Sequence, residues 1–241
     1  MSDEPVYSTD LVKLFHGDSR LVLPMFEKES VDLVLTDPPY GVEFESGRRS
    51  ESFGQIDNDG ADDREIVRTV LVECVRLVGQ NRHLYIFGPD DVVDGLKVSE
   101  PASLVWDKAI LGSGDLSASW GPSHEPITFV VSKFRHAGQA GKGALPVRLR
   151  KGSVLRFTRP TGRNVRHPNE KPVPLLRELI ESSSRQGEIV LDPFAGSGST
   201  GVAAVLTGRR ALLVESDERW IPLIIERLEA AERLSREQVA V

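Results

Sequence analysis

The stretch from residue 188 to residue 215 constrains the fold more than any other part of the chain. Glu188-Ile-Val-Leu-Asp192 reads as a buried strand. Pro193-Phe-Ala-Gly-Ser-Gly-Ser-Thr-Gly201 then turns the chain through glycines 196, 198 and 201, which formally satisfy GxGxxG. A helical pattern from Ser197 to Leu206 follows, and Arg210-Ala-Leu-Leu-Val-Glu215 is a second strand ending in an acid. Strand, glycine turn, helix, strand and terminal carboxylate in that order form a unit that binds the nucleoside part of a cofactor. Glycines let a ligand approach the backbone, and an acid at the next strand end accepts bonds from ribose hydroxyls. At this point a nicotinamide-dependent oxidoreductase is as compatible as any other nucleotide-using enzyme.

The rest of the chain repeats the alternation. Asp32-Leu-Val-Leu-Thr36, His83-Leu-Tyr-Ile-Phe87, Leu104-Val-Trp106 and Ile127-Thr-Phe-Val-Val131 read as strands. Asp63 to Val78 has apolar residues at helical spacing, with Gly79 as its expected stop. Pro172 to Ser183 is a helix with prolines at its start, and Asp217 to Leu234 is the last helix. This pattern predicts an α/β fold, a mostly parallel sheet with helices on both faces. At 241 residues, one such domain with a small insertion accounts for the chain. The single cysteine, Cys74, excludes an internal disulfide and is read as core. No apolar run approaches the roughly 20 residues that span a bilayer, and Met-Ser-Asp-Glu-Pro5 is no signal segment, so a cytoplasmic protein without membrane contact is expected.

The net charge of −6 hides a strong asymmetry. From Pro126 to Asn169 there is no Asp or Glu, and these 44 residues carry ten Lys and Arg. The segment is therefore +10 and the remainder −16. A charge run alone is more often a solvated face, but such asymmetry also suits a local polyanion-binding surface.

The deciding motif is Asp37-Pro-Pro-Tyr40, at the carboxyl end of the strand 32–36. In a parallel sheet that edge is where ligands bind. The prolines hold the chain extended and offer carbonyl acceptors. With a carboxylate and an aromatic ring beside them, they can recognise a planar base bearing an exocyclic amine.

Asp37-Pro-Pro-Tyr40 resembles the catalytic motif of amino-directed DNA methyltransferases. Phe194-Ala-Gly-Ser-Gly198 is similar to their S-adenosylmethionine loop, and His167-Pro-Asn-Glu-Lys-Pro172 to the segment preceding it. Catalytic motif first, basic segment next and cofactor loop last is the permuted order of the β class. The resemblance spans about Leu14 to Leu228. It implies a Rossmann-like methyltransferase sheet in which residues 1–132 form the catalytic half. Residues 133–166 would be a basic target-recognition insertion, and 167–241 the S-adenosylmethionine-binding half.

The implied reaction is methyl transfer to N6 of an adenine flipped out of double-stranded DNA, with N4 of cytosine as the alternative. Asp37, Pro38, Pro39 and Tyr40 are the implied catalytic residues, Tyr40 stacking on the base. The implied cofactor residues are Asp18, Asp37, Lys171, Asp192, Phe194, Ala195, Gly196, Ser197, Gly198, Ser199, Thr200 and Glu215. Asp18 resembles the acid that meets the adenine amine of the cofactor. Lys171, Ser199 and Thr200 are candidates for its carboxylate.

The implied DNA contacts are Arg48 and Arg49 in the polar loop 41–62, and Lys133, Arg135, Lys142, Arg148, Arg150, Lys151, Arg156, Arg159 and Arg163 in the basic segment. No metal is required. A homodimer and a cognate restriction enzyme are the further partners the resemblance raises. His124-Glu125 resembles a recurrent pair and is read as structural, and Trp106 and Trp120 as packing. A non-catalytic, methyltransferase-like DNA-binding subunit is the more distant reading, along with the oxidoreductase.

Overall fold

The computed structural model describes residues 4–39, 63–109, 120, 121, 123–132, 151–160, 166, 167 and 169–239. Among the described residues, nine strands form one sheet. In chain order they are β1 (Tyr7–Ser8), β2 (Val12–His16), β3 (Val31–Thr36), β4 (Val78–Phe87), β5 (Ala102–Asp107), β6 (His124–Val131), β7 (Val154–Arg156), β8 (Ile189–Asp192) and β9 (Arg210–Glu215). Five α-helices accompany them: α1 (Ser19–Val22), α2 (Asp63–Leu77), α3 (Val173–Ser183), α4 (Ser199–Leu206) and α5 (Ile221–Val239).

The spatial order is β1-β2-β9-β8-β3-β4-β6-β5-β7. Strands β2, β9, β8, β3 and β4 are parallel, and β6 then runs antiparallel to both β4 and β5. The C-terminal ends of β9, β8, β3 and β4 therefore share one edge, carrying Glu215, Asp192, Thr36 and Phe87. Strand β8 is late in the chain and β3 early, yet they pair directly, Leu33 opposite Val190. Connections leave to either side of this junction, which opens a crevice at the strand ends.

Side-chain parity divides the core. Leu33, Leu35, Tyr85, Phe87, Val190 and Leu213 pack with α3, α4 and α5 on one face. Val34, Leu84, Ile86, Leu191, Leu212 and Val214 pack with α1 and α2 on the other, where Cys74 is fully buried. Alternate residues of each strand point to opposite faces, so a sheet covered on both sides needs continuous apolar runs, as the sequence has.

Two expectations need correction, and one strand has no counterpart in the sequence pattern. Helix α2 ends at Leu77 and β4 begins at once, so Gly79 lies within the strand. The left-handed residue there is Asn81, at φ 56. Extra residues of β4 loop out between the pairs Val31–Val78 and Leu33–His83, and this irregularity absorbs the turn assigned to the glycine. Trp120 is 91% exposed among the described residues, whereas Trp106 is buried and donates its indole N–H to the Phe157 carbonyl at 2.7 Å. Within the basic segment, Val154–Arg156 forms an edge strand parallel to β5, a strand the pattern did not announce.

Candidate active site

One pocket opens at the carboxyl edge of β9, β8 and β3. It brings together Asp18, Asp37, Pro38, Pro39, Lys171, Asp192, Phe194, Ala195, Gly196, Ser197, Ser199, Thr200 and Glu215. Residues 37–39 and residues 192–200 are far apart in sequence and are juxtaposed because β3 pairs with β8. Gly198 does not line the pocket; it shapes the turn. Tyr40, Arg48, Arg49, Lys133, Arg135, Lys142, Arg148, Arg150 and Arg163 lie outside the described residues.

The glycine turn is built by close contacts. Gly198 caps α4 with a left-handed backbone, φ 75, and Gly196 has φ 51. A Cβ at Gly201 would stand 2.6 Å from Leu213 Cδ1 and 2.9 Å from Leu228 Cδ2, so this glycine lets α4 pack onto β9 and α5. Glu215 ties the turn to the sheet. Its Oε2 accepts the Gly196 N–H at 2.6 Å and its Oε1 the Asp217 N–H at 2.8 Å. Burial raises the Glu215 carboxyl above its ordinary range, and these backbone donors oppose the rise.

Asp192 lies deeper, at the end of β8. Its Oδ1 accepts Thr36 Oγ1 at 2.8 Å and the Phe194 N–H at 3.1 Å. Burial pushes this carboxyl up to about 7, against the hydrogen bonds from Thr200, Thr36 and Phe194. Asp18 accepts the Arg20 N–H at 2.8 Å, capping α1, and pairs with the Arg20 guanidinium at 2.5 Å, which holds its carboxyl below the usual range.

Lys171, immediately before α3, is 11% exposed, and its Nζ lies 2.6 Å from Asp37 Oδ2 and 3.2 Å from Glu125 Oε2. Glu125, the second residue of β6, also receives Lys108 Nζ at 2.7 Å. Lysine Nζ atoms stand over the rings of Phe87 and Trp106, Lys171 at 4.9 Å from the Phe87 centroid and Lys108 at 5.4 Å from that of Trp106. Burial alone would lower the Lys171 ammonium, but the Asp37 and Glu125 carboxylates outweigh it and the net displacement is upward. Lys171 therefore pairs with the Asp37 carboxylate while also lining the pocket that the glycine turn shares.

Three groups escaped sequence reasoning. Arg227, on α5, donates to the Ser197 carbonyl at 3.0 Å and Ser199 Oγ at 3.2 Å while pairing with Glu170 at 2.8 Å. Nothing local marks it, since it is one of several charged residues on the last helix. Trp220 lines the pocket, its ring 4.3 Å from that of His167. Burial lowers the His167 imidazole to about 4, so it is neutral here. Lys108 carries no sequence signal either; only its pairing with Glu125 brings it near.

Among the described basic candidates, Lys151 pairs with Glu178 and Arg156 with Asp107, the latter at 2.8 Å. Exposed pairs like these are worth little and open readily to a phosphate. Arg156 lies opposite Asp107, the last residue of β5, which places it on the same sheet edge as Asp37. Arg159 is half-buried.

The pocket suits a cationic, nucleoside-bearing ligand. Five carboxylates line it, those of Asp18, Asp37, Asp192, Glu215 and Asp217, against the cations of Arg20 and Lys171. Apolar wall comes from Phe194, Ile66, Val70 and Trp220. A sulfonium cofactor with an adenosine moiety fits this donor set.

Comparison with known proteins agrees. The family described as DNA methylase, of the N6 and N4 type, matches residues 31–226. The DNA adenine methyltransferase YhdJ of Escherichia coli K12 is 26% identical over 97% of this chain and 88% of its own. The crystal structure of TTHA0409 from Thermus thermophilus, complexed with S-adenosyl-L-methionine, is 26% identical. It superposes with a TM-score of 0.62 over 91% of this chain and 95% of its own. PvuII DNA methyltransferase, cytosine-N4-specific, has the same fold, with a TM-score of 0.69 over 97% of this chain and 94% of its own at 15% identity.

Proposed function

Since the chain belongs to the N6/N4 DNA methylase family, we propose that it methylates the exocyclic N6 amine of an adenine flipped out of double-stranded DNA. It is an amino-directed DNA methyltransferase, and its methyl donor is S-adenosylmethionine. Asp at the head of Asp37-Pro-Pro-Tyr40 supports adenine over cytosine, as does the likeness to an adenine methyltransferase. The observation that carries the reading is the placement of the Asp37 carboxylate and Pro38 beside the carboxylate-lined pocket at the β3–β8 junction.

The bound cofactor supplies an electrophilic methyl group on a sulfonium. The chain's own residues do the rest by position and charge. Glu215, at the end of β9, takes the ribose, and the turn 194–200 takes the methionine side. Asp37 and the Pro38 carbonyl accept hydrogen bonds from the target amine, which orients its nitrogen lone pair toward the methyl group. They would also stabilise the positive charge that grows on that nitrogen as its bond to the methyl carbon forms and the carbon–sulfur bond breaks, its electron pair staying on sulfur; the amine then sheds one proton to solvent. Tyr40 stacks on the base. Arg156, on the same edge, and the other basic residues of segment 133–163 neutralise phosphates, which positions the duplex.

The test is transfer of a labelled methyl group to unmethylated DNA, then nucleoside digestion and mass spectrometry. N6-methyladenine is the expected product, and N4-methylcytosine would keep the mechanism and overturn the base. Asp37→Ala should abolish transfer while leaving the protein folded. Turnover unchanged in that variant would remove Asp37 from the mechanism.

A further inference from the structure

We infer that Glu125 is a positioning residue for methyl transfer: its carboxylate holds the Lys171 ammonium against Asp37 and thereby fixes the catalytic carboxylate. This rests on the methyltransferase reading of Asp37.

Four charges of alternating sign run along the carboxyl edge of the sheet, Asp37, Lys171, Glu125 and Lys108. The successive separations are 2.6, 3.2 and 2.7 Å. They come from four segments: the end of β3, the lead into α3, the start of β6 and the residue after β5. No single element could maintain the spacing, and each internal charge touches one neighbour on either side. Lys171 and Lys108 are both nearly buried. A buried ammonium persists only with anionic partners, and Lys171 has two.

The consequence for Asp37 is geometric and electrostatic. An amine acceptor must hold one rotamer, and an ammonium on Asp37 Oδ2 restrains that rotamer. A lysine bonded to Asp37 alone would neutralise much of the negative charge meant for the developing cation on the base. Glu125 shares the ammonium, so Asp37 is held without being fully neutralised. Burial raises the Glu125 carboxyl but the two lysines more than reverse it, so the group is anionic. The groups facing Lys171 are Asp37 from β3, Glu125 from β6 and the neutral His167 from its own segment, with Lys108 behind Glu125.

Glu125→Gln keeps the shape and one acceptor but removes the charge. It should lower kcat about tenfold while the Kd for S-adenosylmethionine stays within about twofold. The alkaline limb of its pH–rate profile should move to lower pH, because Lys171 loses an anionic partner. Nitrogen-detected NMR of the Lys171 ammonium in the full protein reads the same coupling without turnover and should show deprotonation at lower pH. Lys108→Met is the opposing control. It strips the competing cation from Glu125 and should move Lys171 deprotonation to higher pH, where general damage to the fold would move both variants the same way. An unchanged kcat and alkaline limb in Glu125→Gln would overturn the inference, as would shifts of one sign in both variants. Wild-type protein that transfers no methyl group would overturn the functional reading, while the NMR titration would still decide the Glu125–Lys171 coupling.

Discussion

The Glu215 carboxylate and the Gly196 backbone meet at 2.6 Å, joining the end of β9 to the glycine turn that follows β8. With its other oxygen on the Asp217 N–H, Glu215 is an acceptor on both sides. Glutamine cannot replace it, because one of its two terminal atoms is a donor that would face a backbone N–H. Glu215→Gln and Glu215→Ala should therefore behave alike. Each should cost about 2 kcal/mol of stability and raise the cofactor Kd at least about tenfold, since the anchor of the turn and the proposed ribose acceptor are lost together. Thermal unfolding with and without cofactor checks both, and a Gln variant that binds normally would sink the argument.

Gly198 and Gly201 serve different needs. At Gly198 the backbone is left-handed, and a Cβ would come within 2.9 Å of Ile224 Cγ2. Gly198→Ala thus combines strain with a clash and should cost about 2 kcal/mol. Gly201 sits inside α4, where alanine would otherwise gain about 1 kcal/mol in helix propensity. The fully buried Leu213 and Leu228 leave no space for it, and overpacking costs about 1–3 kcal/mol. Gly201→Ala should therefore lower the urea midpoint without changing the slope. A stabilised variant would show that the two leucines can retreat.

How much was readable beforehand follows from which forces are local. Strands β3, β8 and β9 and helices α3, α4 and α5 announce themselves because apolar periodicity and the turn at 193–201 are written in contiguous residues. Edge strand β7 is three residues whose only support is pairing with β5, so no local pattern marks it. The end of α2 is not legible locally, because Gly79 looks like a stop while the irregularity opposite Val31 belongs to the β3–β4 register. At the site, segments 37–39 and 192–200 are marked by motifs in the sequence, and they converge because β3 pairs with β8. Arg227, Lys108 and the pairing of Glu125 with Lys171 were not legible, because each depends on which distant segment faces it.

Arg227 shows what such a residue contributes. Its guanidinium spans the Ser197 carbonyl, Ser199 Oγ and the Glu170 carboxylate, so it fastens the cofactor turn to the segment before α3. Lysine has no planar fork and presents its donors from a single nitrogen, so it cannot span acceptors that two guanidinium nitrogens reach here. Arg227→Lys and Arg227→Met should each destabilise by about 2 kcal/mol and accelerate cofactor release. A double-mutant cycle with Glu170→Gln should return a coupling of about 1 kcal/mol. Additive effects would show that the pair is a surface contact of no consequence.

Asp192 gives the pocket a pH dependence whose sign is fixed. Its carboxyl titrates at about 7 in the fold against an ordinary 3.8, because burial disfavours the anion. Between those values the folded protein keeps a proton that the unfolded chain has released. Its contribution to stability is therefore full below about 3.8 and declines as pH rises to about 7. A cation bound beside Asp192 favours the ionised form, so cofactor binding below pH 7 should expel a proton and affinity should rise with pH through that range. Calorimetric titration at pH 6 in two buffers of different ionisation enthalpy should give different apparent binding heats, reporting proton release. Asp192→Asn should reduce that difference, leaving the part due to Glu215, whose carboxyl is displaced the same way. Identical heats in the two buffers for the wild type would mean that Asp192 is already ionised before the cofactor arrives.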